Sequence, residues 1–156
     1  MSKVLPNGRY TYTHFWATGP DAVPRASWQA FCKEAAILIQ LHKQLIGRDN
    51  YDINMSGQVR QVYFMAEDAS HFGDFRFSYD PASFCFCRTD YKPFDLLVKV
   101  ILLTAKKHFK HWLRITSDGS WEEWQDAVEI CRRHGNFSDL DEASAKADFD
   151  SLIPVS

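Results

Sequence analysis

Two short polar corners in this 156-residue chain carry the side chains best suited to chemistry. The first, CRTDYKP, sets Arg88, Thr89 and Lys92 at the mouth of an expected helix. There the first backbone amides lack intrahelical partners and attract phosphate or carboxylate. It is not a P-loop, since it lacks the glycines and the Gly-Lys-Ser/Thr ending. Its plainer reading is a solvated turn capped by Asp90 and Asp95. The second corner, ITSDGS, places Ser117, Asp118, Gly119 and Ser120 between a strand and a helix. Asp118 can hold a ligand hydroxyl there while neighbouring amides take an anion, although Asp-Gly is also an ordinary turn pair. A loop between them, EDASHFGD, gathers Glu67, Asp68, His71 and Asp74. It offers a general base or metal ligands, and it is equally the composition of a hairpin loop. Metal binding takes about three well-placed ligands, and no second cluster at metal spacing accompanies this one. The expectation is therefore no metal and no cofactor.

The remaining reactive residues read as structure. Cys85 and Cys87 share a strand face, but a C-x-C pair without a second close pair is a weak zinc signal. Together with Cys32 and Cys131 they read as reduced, buried thiols. His108 and His111 end a helix, where imidazolium suits the macrodipole. His14 lies in a strand outside any paired His-x-Ser/Thr motif, and no G-x-S-x-G element appears.

The elements that must position the corners follow from periodicity. Residues 9–18 alternate aromatic and hydroxyl side chains and read as a strand. Ser27 can cap a helix whose apolar residues Trp28, Phe31, Cys32, Ala35, Leu38 and Ile39 recur at three- and four-residue steps, with Gly47 as its stop. Residues 58–66, 75–79 and 83–87 read as three strands close enough together for an antiparallel meander. Pro93 suits the first turn of a helix with Phe94, Leu97, Val98, Ile101, Leu102, Ala105 and Phe109 inward and its lysines outward. Residues 112–116 form a further strand. Ser120 and Glu123 make an S-x-x-E capping box for a helix that ends near Gly135. The expected fold is α+β: one domain over residues 1–137, with a mostly antiparallel sheet of about four to six strands against two or three amphipathic helices. Residues 138–156 form an acidic tail, weakly helical over 139–149 or loose.

Composition narrows the classes of function. Aromatic residues make up 15% of the chain, so the core should be ring-rich. The formal charge is −2, of which −4 lies in residues 138–156, leaving +2 on residues 1–137. That balance argues against a phosphate tracker of nucleic acid and is compatible with an anionic small ligand. No apolar run approaches a membrane span, and the first ten residues lack a signal-peptide core. Spare aromatics leave a homo-oligomer open.

The order Asp68-Ala-Ser-His71, FCFCRTDYKPFD over 84–95 and SDGSWEEW over 117–124 resembles a set of small uncharacterised phage and prophage proteins. Their pattern is an acidic-Ser/Ala-His turn, then Phe-Cys-Lys-Thr, Lys-Pro-Tyr-Asp and Ser-Ser-Asp-Gly-x-Trp. The likeness spans residues 62–135. Arg88 stands for the pattern's Lys, Phe94 for its Tyr and Thr116 for the first Ser; Gly73 stands near a common acidic position. The resemblance implies a phage-type accessory protein in a bacterial host's cytoplasm that acts against host defence. It supplies no mechanism.

Three functions are consistent with these residues. The first is a binding module for a phosphate-bearing, nucleotide-like molecule. Arg88 and Lys92 would take the anion, Thr89 and Ser117 would hydrogen-bond it, and Asp118 or His71 would read a sugar or base. The second is an interaction or inhibitor module that blocks a host protein through the acidic tail and exposed aromatics. The third is a phosphoester or glycosidic hydrolase with His71 as base and Asp118 assisting.

Overall fold

The computed structural model describes residues 3–4, 10–19, 21, 23–46, 51–52, 61–66, 74–79 and 84–150. Its architecture is α+β, as the periodicities predict. Among the described residues the strands are β1 (Lys3–Val4), β2 (Tyr10–Thr11), β3 (Thr13–Thr18), β4 (Tyr51–Asp52), β5 (Gln61–Met65), β6 (Asp74–Ser78), β7 (Phe84–Arg88) and β8 (Leu113–Ser117). The helices are α1 (Arg25–Leu41), α2 (Phe94–Phe109), α3 (Gln125–His134) and α4 (Asp139–Asp150). The strands form three antiparallel sheets, ordered β1-β2, β4-β5-β6 and β7-β3-β8, rather than one continuous meander. Cys87 Sγ donates to the Asp74 carbonyl at 3.2 Å and ties β7 to β6 across the gap between two of them.

Helix α1 opens at Arg25 behind Pro24, two residues before Ser27. The proline ring holds φ near −56° while ψ stays extended at 137°, and the helix starts there without a side-chain cap. Its inward residues are those of the predicted stripe, from Trp28 to Ile39. Trp28, Phe31, Phe77 and Phe109 pack ring on ring at centroid distances of 5.1–6.1 Å, so the core is aromatic as composition implied. Burial holds the Cys32 and Cys131 thiols up at about 12 and raises Cys87 as well, which suits inert core thiols.

Helix α2 departs from a simple amphipathic reading. It packs against α1, α3, α4 and β8, which covers part of its lysine face. Lys99 and Lys106 are both buried. Each has a carboxylate and a backbone carbonyl: Asp95 (3.0 Å) and Glu123 O (2.8 Å) for Lys99, Asp148 (2.9 Å) and Leu113 O (2.5 Å) for Lys106. Burying an ammonium is tolerable only with such partners. Helix α4, in the stretch with alternative weakly helical and loose readings, is docked. Asp148 also accepts from Ile115 N–H at 3.0 Å and so caps the edge of β8. No helix among the described residues is long and apolar enough to cross a membrane.

Candidate functional site

Strand β3 is central in its sheet, and both polar corners close on its first residues. Thr13 pairs with Arg88 on one side, and His14 pairs with Ser117 on the other. Thr89 N–H donates to Tyr12 O (2.8 Å), and Asp118 N–H donates to Thr13 O (2.9 Å). The two aspartates return the contact. Asp90 Oδ1 accepts from Tyr12 N–H (3.0 Å), and Asp118 Oδ2 accepts from Thr13 N–H (3.1 Å). The turn between β7 and α2 takes positive φ at Asp90 (48°) and Tyr91 (63°). That conformation is disfavoured for an aromatic residue. The swing lays the Tyr91 ring on Tyr12, with centroids 3.9 Å apart.

Alternation from Tyr12 through β3 sends Tyr12, His14 and Trp16 inward. His14 is fully buried and joins the two corners. Its Nε2 lies 2.6 Å from Asp95 Oδ1, and its Nδ1 lies 2.7 Å from Ser117 Oγ. Asp95 also accepts from Thr89 Oγ1 (2.5 Å) and Lys99 Nζ (3.0 Å). Burial alone would raise the Asp95 pKa, but His14, Lys99 and Thr89 together hold it below the ordinary carboxylate range. In a neutral ring an ionised Asp95 fixes the histidine tautomer: Nε2–H donates to it, and Nδ1 is then the acceptor for Ser117 Oγ–H. Ser117 Oγ accepts in turn from Gly119 N–H (2.9 Å) and Trp124 Nε1–H (3.3 Å). Each member of this chain therefore has its donors and acceptors matched.

Tyr12 is the exception. Its ring is fully buried, and its hydroxyl makes no hydrogen bond among the described residues. It lies beside Ser117 Oγ, whose acceptor positions are already taken. Burial, then the charges of Asp95 and Glu123, push the phenol well above its ordinary pKa. A Cβ on Gly119 would come within 1.9 Å of this oxygen, so only glycine lets the Ser-Asp-Gly corner close over it.

Outside this network lies a cavity of about 660 Å³. Residues 117–123 form one wall, Tyr91 a second, and Lys146, Phe149 and Asp150 of α4 a third. Ser120 and Glu123 make the expected capping box, with Glu123 Oε2 accepting from Ser120 N–H at 2.8 Å. The helix behind it opens as a 3-10 turn over Trp121–Trp124 before α3. Phe149 packs edge-on against both Trp121 and Trp124, at 5.2 Å each. The cavity thus presents Asp118, Glu122, Glu123 and Asp150 against Lys146, with rings from Tyr91, Trp121 and Phe149.

The predicted residues fall into distinct places. Ser117 and Asp118 line the cavity. Thr89 sits beneath it, wholly buried, bonded to Asp95. Arg88 and Lys92 are not among its lining residues. Arg88 instead forms a two-pronged pair with Asp90, Nε and Nη2 each 2.9 Å from Oδ2. His71, Glu67 and Asp68 lie outside the described residues. Asp95 is no helix cap, because its side chain turns inward to His14. Among the described residues no group of three or more His, Cys, Asp or Glu side chains is placed to hold a metal ion. Tyr12, His14, Lys99 and the α4 residues went unassigned in the sequence. The available signal was the period-two burial of β3, which puts a histidine on an inward face that must find polar partners. No protein-family model, curated protein or solved structure matches the chain.

Proposed function

We propose that the protein binds a small organic cation in the cavity at the end of the β7-β3-β8 sheet, without turning it over. The carrying observation is the lining: four carboxylates and three aromatic rings against one ammonium. Such a surface repels a free phosphate and suits an ammonium or guanidinium head with an apolar or aromatic body. The ligand expected from the corners alone was anionic and nucleotide-like. With Arg88 matched to Asp90 and away from the lining, the favoured charge reverses. An accessory protein of phage type would act here by sequestering such a molecule.

The absence of turnover rests on the complete burial of His14. The spacings Ser117–His14–Asp95, 2.7 and 2.6 Å, are those of a nucleophile, a base and its orienting carboxylate, and they favour a hydrolase as the second reading. Yet Ser117 Oγ also accepts from Gly119 N–H and Trp124 Nε1–H, which tie the hydroxyl into the corner and stabilise it in place. His14 is also sealed from any leaving group. We read the network as the rigid floor of a binding site.

A thermal-shift panel tests the reading. It should contain spermidine, choline, arginine amide and a nucleotide set. A saturating cation at about 100 times its dissociation constant adds about 2.7 kcal/mol and raises Tm by several degrees. A shift with nucleotides alone would restore the anionic ligand and overturn ours. Labelling of Ser117 by a fluorophosphonate would establish the hydrolase instead.

A further inference from the structure

Tyr91 stands in a turn that its own backbone disfavours. Asp90 and Tyr91 take φ of 48° and 63° in succession. Aspartate visits that left-handed region because its short side chain can bond locally, but a tyrosine has no such compensation. The turn is nonetheless held on both sides of Tyr91. Asp90 N–H donates to Tyr12 O at 3.2 Å, and Lys92 N–H donates to Thr89 O at 2.9 Å. The Tyr91 ring is thereby laid nearly parallel to Tyr12, with 16° between the planes. One face of the ring is covered in this way, yet Tyr91 is still 51% exposed and forms a wall of the cavity. Its hydroxyl comes within 3.4 Å of Glu123 Oε1, so a carboxylate stands at the ring's edge. Residues held against their backbone preference cluster at ligand sites. The stack on Tyr12 accounts for the inner face of this ring, and a ligand accounts for the half that meets the cavity.

We propose that Tyr91 selects the ligand, and that the ligand's head is a planar cation, a guanidinium or amidinium, stacked on this ring. The proposal rests on the binding of an organic cation in the cavity and narrows it to one class. A flat delocalised cation lies face-on over an aromatic ring, and it is more weakly hydrated than an ammonium, so stacking strips little water from it. Its N–H groups lie in its own plane. Stacked on Tyr91, they are directed sideways, where the adjoining walls carry Asp118, Glu122 and Asp150. A primary ammonium serves both partners less well, because it is a compact and strongly hydrated point charge. A quaternary ammonium suits the ring but has no N–H to give the carboxylates. The edge-on pair of Trp121 and Phe149, 5.2 Å apart, takes the apolar body of the ligand.

Calorimetry on the full chain at low salt, with two matched pairs of monocations, tests the proposal. The pairs are benzamidine against benzylamine, and ethylguanidine against propylamine. Within each pair the charge is the same and the size similar, and the shape of the head differs. The planar member should bind at least about fivefold tighter in both pairs. Tyr91→Phe should keep that preference. Tyr91→Gly, which the left-handed backbone accommodates, should reduce it to within about twofold, chiefly by weakening the planar member. Equal or tighter binding of the ammonium members by the parent overturns the planar head and leaves the binding of a cation standing. Binding of spermidine or choline with neither planar member bound does the same. A preference that survives in Tyr91→Gly overturns the role of Tyr91. If no cation of any kind binds, the cation site itself fails, and the proposal with it. The parent comparison decides the shape of the head without any variant.

Discussion

Tyr12 sets the terms of the site at the level of single residues, because its hydroxyl is buried beside partners that are already committed. Leaving a buried donor unsatisfied costs about 1–3 kcal/mol, so Tyr12→Phe should match or exceed the parent's stability in urea unfolding. A loss above about 1 kcal/mol would show that the hydroxyl has a partner in solution. Gly119→Ala drives a methyl into the same oxygen and should cost at least about 2 kcal/mol. Combining it with Tyr12→Phe should recover part of that cost, and purely additive losses would place the strain elsewhere. Asp95 makes a pH prediction. Its folded pKa lies below the unfolded value of about 3.9, so the folded state binds fewer protons in that range. The stabilisation is complete above the unfolded pKa and is lost as pH falls through the folded one. Unfolding midpoints measured below about pH 4 should therefore drop more steeply for the parent than for Asp95→Asn. Parallel curves would mean that the His14 and Lys99 contacts do not hold the carboxylate down.

Among elements, α4 completes the cavity and is fastened at few points. Asp148 holds it to Lys106 and to the edge of β8, while Phe149 wedges against Trp121 and Trp124. Removing one partner of a buried pair strands the other charge, so Asp148→Ala should cost about 3 kcal/mol. It should also expose α4 to limited proteolysis and weaken binding in the cavity, since that wall is lost. Unchanged proteolysis would show that Phe149 alone suffices to dock the helix. The fastening explains why α4 was only partly legible. DLDEASAKADFD has no broad apolar stripe, and only Ala145 is fully inward, so periodicity has little to register. Helices α1 and α2 read clearly because their stripes repeat over four turns, and the capping box at Ser120 read clearly because it is local. His14, Asp95 and Ser117 did not read as one site. Their hydrogen bonds span 81 and 103 residues, and chain-local pattern cannot show which inward polar group meets which. The buried Lys99 and Lys106 were unreadable for a related reason, since a lysine face looks solvated until another helix covers it.

For the whole molecule, the cavity concentrates negative charge at one end of a near-neutral chain. The cavity lies at the end of the sheet where α4 and the Ser-Asp-Gly corner close, and its charged lining is four carboxylates against one lysine. A local acidic field on a chain whose total charge is only −2 makes binding in the cavity sensitive to single charges. Glu122 and Asp150 line the cavity, are exposed and lie outside the buried network, so Glu122→Gln with Asp150→Asn should leave Tm nearly unchanged. The same pair should weaken spermidine binding about fivefold or more at low salt, with the difference shrinking as ionic strength rises. Calorimetry with spermidine on the parent and the double variant, each at low and high salt, checks this. Equal affinities in the two proteins at low salt would mean that these carboxylates do not select the ligand's charge.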